Sequence, residues 1–161
     1  MFTVQGDGDC IAIGAGPFIG ALTRGEKITI IMVNNTNFGT TGGQLGPTTL
    51  VGQVTTTSPE GRKPGEEGYP VHTAEMAATF KGVAYSARGA LITPADYKKT
   101  QGYIRTAFQR QIDNVGTSYV EVITACPTNW HMTPVKSLSW IRDHVIPEFP
   151  LGEFKNSSKT G

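Results

Sequence analysis

FTVQGDGDCIAIGAGPFIGALTRGEKITIIMVNN, residues 2–35, contains a strand, a helix and a second strand in that order. The opening run is short, apolar and β-branched, and ends at Gly6. From Cys10 to Arg24, Ile11, Phe18, Ile19 and Leu22 recur at helical spacing, while Gly14, Gly16 and Pro17 predict that this helix is broken or bent. KITIIMV, Lys27 to Val33, is almost wholly apolar. A strand apolar on both faces belongs inside a parallel sheet covered by helices. These elements form a βαβ unit, and each of its strands runs into an unusual segment: GDGD after the first, NNTNFG after the second.

Working outward, residues 34–70 show neither strand nor helix periodicity and are rich in Gly, Thr, Ser and Pro, the mark of a functional or disordered loop. Thr73 to Gly82 predicts a helix with Thr73 as N-cap and Gly82 just past its end. VAYSAR predicts a strand, and Tyr97 to Ile112 a helix with Thr100, Tyr103, Ile104, Ala107, Phe108 and Ile112 on one face. Its Lys98, Lys99, Arg105 and Arg110 read as a solvated face. Ser118 to Ala125 is another strand, and TPVKSLSWIRDHV a helix with Thr133 as N-cap and Pro134 at its first position. The end is extended. Strands alternating with helices predict an α/β domain: a mostly parallel sheet with helices on both faces, spanning residues 1–155, with a disordered tail at 156–161.

Composition narrows the function. Hydrophobic residues at 38% and charged residues at 17% fall below globular averages because 20 glycines and 10 prolines fill loops. A net charge of +1 gives no electrostatic case for nucleic acid or an anionic membrane surface. No run is long enough to span a bilayer and no signal-peptide pattern opens the chain, so a cytoplasmic location is expected. Cys10 and Cys126 form no CxxC pair and read as reduced thiols. Without a secretory signal, the glycosylation-like Asn34-Asn35-Thr36 and Asn156-Ser157-Ser158 carry no weight.

In open α/β sheets, ligands bind at the carboxyl ends of strands, which places GDGD and NNTNFG at one edge. A glycine-rich turn before a helix cradles phosphate oxygens with backbone amides, and Gly6 and Gly8 allow close approach. A carboxylate there would repel a diphosphate unless a cation lay between them. Mg²⁺ takes an octahedral set of oxygens, a few from protein and the rest from phosphate and water. Asp7 offers a carboxylate, Asn35 a side-chain amide oxygen and Asn37 a main-chain carbonyl. Asp9 sits where its charge suits the helix dipole. Alone, GDGD is equally a Gly/Asp turn and NN a strand-ending turn; the pairing one βαβ unit apart favours the metal.

The pairing resembles the thiamine-diphosphate motif, GDG followed by NN. With TTGGQ, PTTLVGQVTTTSPEGR, GYP, YVEV, CPTNW and IPEFPLGEFK, the chain from Phe2 to Lys155 resembles the β subunit of 2-oxoacid:ferredoxin oxidoreductases of the 2-oxoisovalerate and 2-oxoglutarate type. That resemblance implies thiamine diphosphate and Mg²⁺ as cofactors, with Asp7, Asn35 and the Asn37 carbonyl on the metal. It implies that Gly6, Gly8, Asp9, Gly39, Thr40 and Thr41 line the diphosphate and thiazolium. The implied reaction is oxidative decarboxylation of a 2-oxoacid, the acyl group passing to coenzyme A and electrons to ferredoxin through iron–sulfur subunits. Partners would be an α subunit and further subunits of the same complex.

Family β subunits carry a CPGCGHG-like segment upstream of GDGD, so the match covers a C-terminal portion. A chain lacking that wall is expected to bind cofactor weakly alone and, with a bare sheet edge, to self-associate. A folded module that binds no cofactor productively, and a non-oxidative thiamine-dependent decarboxylase, are the alternatives. The activating glutamate belongs to a partner domain in this family, and Glu26, Glu75 and Glu121 read as surface or sheet residues. CPTNWHMTP, where His131 stands near Trp130 and Cys126, reads as a packed turn leading into a helix in preference to a site, and His72 and His144 carry no functional signal.

Overall fold

A computed structural model describes residues 1–158. Its main sheet has five strands in the order β1 (Phe2–Gly6), β2 (Thr29–Asn34), β6 (Thr117–Ile123), β5 (Val83–Ala90) and β7 (Gly152–Asn156). The first four run parallel, and β7 closes the edge antiparallel to β5. A two-stranded hairpin, β3 (Asn37–Phe38) with β4 (Gln44–Leu45), stands apart. The sequence-based expectation of a mostly parallel α/β sheet holds, and β2 lies inside it.

Alternation along β2 splits the core. Ile30 and Met32 pack with Phe18, Ala21 and Leu22 of α1 (Ala15–Arg24) and Ala74 and Ala77 of α3 (Thr73–Thr79). Ile31 faces the other way, toward Tyr103 and Ala107 of α4 (Pro94–Ile112). Between β4 and α3 runs a long loop interrupted only by α2 (Pro64–Glu67). Beyond the sheet's carboxyl edge, Leu50, Trp130 and Phe149 join α5 (Pro134–Trp140) and a π-helical turn at Ile141–Val145 in a third cluster, and α6 (Ile146–Glu148) follows it.

The predicted break in the first helix is real: a π-helical turn at Asp9–Ile13 precedes α1. Other details move. Thr73 is the first residue of α3 with His72 before it, and that helix ends at Thr79. Gly82 therefore does not cap it; a Cβ there would lie 2.5 Å from the Leu22 carbonyl oxygen, so Gly82 is small because the chain ahead of β5 crosses the end of α1. The Thr93 hydroxyl caps α4 by accepting from the Asp96 amide, starting that helix at Pro94 rather than Tyr97. Ile112, at the helix end, is 73% exposed rather than on the buried face. Thr133 caps α5 as read. Asn156 belongs to β7 and the Ser157 amide donates to the Ala84 carbonyl, while residues 159–161 of the expected tail lie outside the described residues.

Candidate cofactor and metal site

At the carboxyl ends of β1 and β2 lies a cavity of ≈ 350 Å³. All nine residues singled out from sequence line it: Gly6, Asp7, Gly8 and Asp9 from one side, Asn35, Asn37, Gly39, Thr40 and Thr41 from the other. Val4, Ile13 and Phe38 add apolar wall that the sequence reading did not assign. Gly8 lies against that wall; a Cβ there would sit 2.3 Å from the Phe38 ring, so any side chain would displace it. Gly6 has open space where its Cβ would point. Asp9 is exposed at the head of the π-helical turn.

Asp7 is 1% exposed, and burial pushes its carboxyl up to about 6 against the pull of hydrogen bonds from Thr48 and nearby amides. A carboxylate so placed needs a cation or a proton. Asn35 supplies the test of which. One terminal atom of its side-chain amide lies 2.7 Å from the Asn37 carbonyl oxygen, 3.2 Å from Asn37 Oδ1 and 3.2 Å from Asp7 Oδ1. A nitrogen in that place donates to these acceptors. An oxygen there gathers four oxygens around one point, an arrangement that a bound cation stabilises. Amide orientation is assigned from such surroundings rather than observed. The donor set, one carboxylate with amide and carbonyl oxygens, suits a hard cation such as Mg²⁺. Among the described residues no three His, Cys, Asp or Glu side chains converge on a point, so any metal here depends on these neutral oxygens.

Behind Asp7 runs a buried polar chain invisible to sequence reading. Thr48 Oγ1 lies 2.5 Å from Asp7 Oδ2 and 2.9 Å from Asn34 Oδ1. The Asn34 amide donates to Glu121 at 2.7 Å, and Arg88 Nε donates to the other Glu121 oxygen at 2.8 Å. Arg88 then forks onto Glu75 at 2.8 and 2.5 Å. Glu121 is a sheet residue, as read, but is wholly buried; burial pushes its carboxyl up while Arg88 pulls the other way. The one signal available in sequence was charge inside otherwise apolar strands, Arg88 in VAYSAR and Glu121 in YVEV.

The long loop is fixed from within. Arg62, 4% exposed, donates to six carbonyls, those of Gly46, Pro47, Thr49, Glu67, Gly68 and Tyr69. Thr49 and Gln53 reach the Thr36 carbonyl at 2.6 and 3.4 Å, and Thr36 itself adopts a left-handed φ of 58°. A β-branched residue in that region is strained by about 1–3 kcal/mol. The left-handed turn at Thr36 redirects the chain after β2, and Asn37 and Asp7 both lie against the Asn35 amide. On the far side, Asn129 Nδ2 donates to the Gly39 carbonyl at 2.8 Å and packs against Gly43. CPTNW is thus a packed turn, as read, and it also braces the TTGGQ loop.

Residues 1–122 match the C-terminal TPP-binding domain of thiamine pyrophosphate enzymes. The chain belongs to that family. This TPP-binding domain is 39% identical over 154 residues to ketoisovalerate oxidoreductase subunit VorA of Methanothermobacter thermautotrophicus, covering 96% of the chain and 32% of that protein. It is 36% identical over 140 residues to 2-oxoglutarate synthase subunit KorB of Archaeoglobus fulgidus, covering 87% and 48%. The chain therefore spans 32% to 48% of these relatives' length. Its fold matches a solved 2-oxoglutarate:ferredoxin oxidoreductase from Magnetococcus marinus at a TM-score of 0.72 and 20% identity, over 96% of this chain and 55% of that one. The resemblance drawn from GDGD, NN, TTGGQ and CPTNW holds across the domain. Among the described residues no helix is long and apolar enough to cross a membrane.

Proposed function

We propose that this chain supplies the diphosphate and Mg²⁺ end of a thiamine diphosphate site in a cytoplasmic 2-oxoacid:ferredoxin oxidoreductase. One observation carries the reading: nine residues drawn from two segments line one cavity, and the Asn35 side-chain amide lies there against Asp7 Oδ1 and the Asn37 carbonyl. Asp7 Oδ1, the Asn35 amide oxygen and the Asn37 carbonyl would hold the cation. The amides of the Gly6–Asp9 turn would receive the phosphate oxygens. Gly39, Thr40 and Thr41 would line the path toward the thiazolium, with Val4, Ile13 and Phe38 as apolar wall. When bound, the cofactor supplies an electron sink for loss of carbon dioxide from the 2-oxoacid. Coenzyme A would take the acyl group and ferredoxin the electrons, through an α subunit and iron–sulfur subunits of the same complex. The acid–base group that activates the cofactor would come from a partner domain.

Titration of thiamine diphosphate into the chain with Mg²⁺ tests this. Weak binding, at millimolar level or somewhat tighter, that is lost with EDTA and in Asp7→Ala supports it. Binding indifferent to both refutes the metal clamp, and no binding even with partner subunits present favours a structural module. The exposed Phe2 and Val4 on edge strand β1 support self-association of the isolated chain. A monomer by light scattering counts against it.

A further inference from the structure

Asp7 has two oxygens, and the structure treats them differently. Oδ1 faces Asn35 and Asn37. Oδ2 faces Thr48, whose hydroxyl lies 2.5 Å away and is wholly buried. That hydroxyl has one proton and two acceptors in reach, and an ionised carboxylate oxygen 2.5 Å away is the stronger of the two. Its second neighbour, Asn34 Oδ1, is also an acceptor, because the Asn34 nitrogen is committed to Glu121 and its oxygen already accepts from the Thr36 amide at 2.9 Å. The 2.5 Å contact is in the range of a hydroxyl donating to a carboxylate. Thr48 itself is held by its loop: the Thr49 hydroxyl donates to the Thr36 carbonyl at 2.6 Å and accepts from the Gly46 amide at 2.8 Å, while Arg62 donates to the Thr49 carbonyl at 2.6 Å. The loop thus holds the Thr48 hydroxyl against Asp7 Oδ2.

Resting on the proposed metal ligands, we infer that Thr48 is a positioning residue: it occupies one oxygen of Asp7, restricts that carboxylate to one-oxygen binding, and thereby sets a preference for Mg²⁺ over Ca²⁺. Mg²⁺ is small and demands single oxygens at octahedral corners, whereas Ca²⁺ accepts more ligands and welcomes a carboxylate through both oxygens. Freeing Oδ2 lets Asp7 bind a larger cation through both atoms, which helps Ca²⁺ and does nothing for Mg²⁺.

The test is competition on the full chain with thiamine diphosphate present. Bound Mn²⁺ is followed by electron paramagnetic resonance while Mg²⁺ or Ca²⁺ displaces it, and the ratio of their displacement constants is the readout. Thr48→Val keeps the shape and removes the hydroxyl; Thr48→Ala is read the same way in case the valine variant folds poorly; Thr48→Ser keeps the donor. The ratio is expected to move toward Ca²⁺ by on the order of tenfold in the valine and alanine variants and to stay within about twofold of wild type in the serine variant. A merely structural role weakens both ions together and leaves the ratio alone. An unchanged ratio in folded valine and alanine variants overturns the role of Thr48 while leaving the metal site standing. Wild-type chain that binds no Mn²⁺ overturns the metal site and this inference with it.

Discussion

The β1–α1–β2 unit and the loop from Gly46 to Tyr69 meet at the same cavity edge and contribute in opposite ways. The first presents Asp7 and ends in the turn that carries Asn35, groups displayed directly by strand ends. The second presents nothing to the cavity but holds what is presented: Thr48 grips Asp7, and Arg62 gathers the loop's own carbonyls. Chemistry sits on the regular elements, and the irregular segment fixes its geometry. Substitutions in the two regions should therefore separate binding from stability.

The largest stability effect is expected from the buried charge chain that supports both regions. Arg88→Met leaves Glu121 buried without its cation and should cost about 3–5 kcal/mol in urea unfolding. The double variant Arg88→Met/Glu121→Leu should recover much of that, because removing both charges removes both desolvation costs. A single variant as stable as wild type would show that the Arg88–Glu121 pair does not hold the sheet. Arg62→Ala, which strands several buried carbonyls, should cost about 3 kcal/mol and weaken metal binding through Thr48, although Arg62 does not touch the cavity.

Asp7 should behave in the reverse sense. Its folded-state pKa of about 6 lies above the ordinary aspartate value of 3.8, so the metal-free fold holds a proton that the unfolded chain releases. Its contribution to stability is therefore full below about pH 4 and lost as pH rises through about 6, by at most about 3 kcal/mol. Asp7→Asn should flatten that slope and stabilise the metal-free chain at pH 7 while removing cation binding. With Asp7 intact, cation affinity should climb with pH up to about 6. A metal-free stability that rises across this range would contradict the burial of the carboxylate. The smallest effect is expected from Asn129→Ala, which frees the Gly39 carbonyl at a cost of about 1 kcal/mol and loosens cofactor affinity only a few-fold.

The same contrast explains what could be read in advance. Strand periodicity, the nearly all-apolar run ending at Val33 and the polar residues just after each strand are local signals, so the sheet edge and nine of the residues lining the cavity are legible, while Val4, Ile13 and Phe38 are not. Nor are Thr48, Asn34 and Arg62. Their roles depend on contacts between residues far apart in the chain, such as Asn34 with Glu121, and on the left-handed Thr36 that no propensity anticipates. Gly82 was misread for the same reason: its smallness answers to Leu22, not to its own helix.

Anomalous diffraction from Mn²⁺ in crystals grown with thiamine diphosphate tests the cation clamp most directly. A bridging ion requires one strong peak about 2.1–2.3 Å from Asp7 Oδ1, the Asn35 amide oxygen and the Asn37 carbonyl, with diphosphate oxygens on its far side. Diphosphate bound in the cavity without a peak there, or a peak with Asp7 and Asn35 turned away from it, would contradict the clamp.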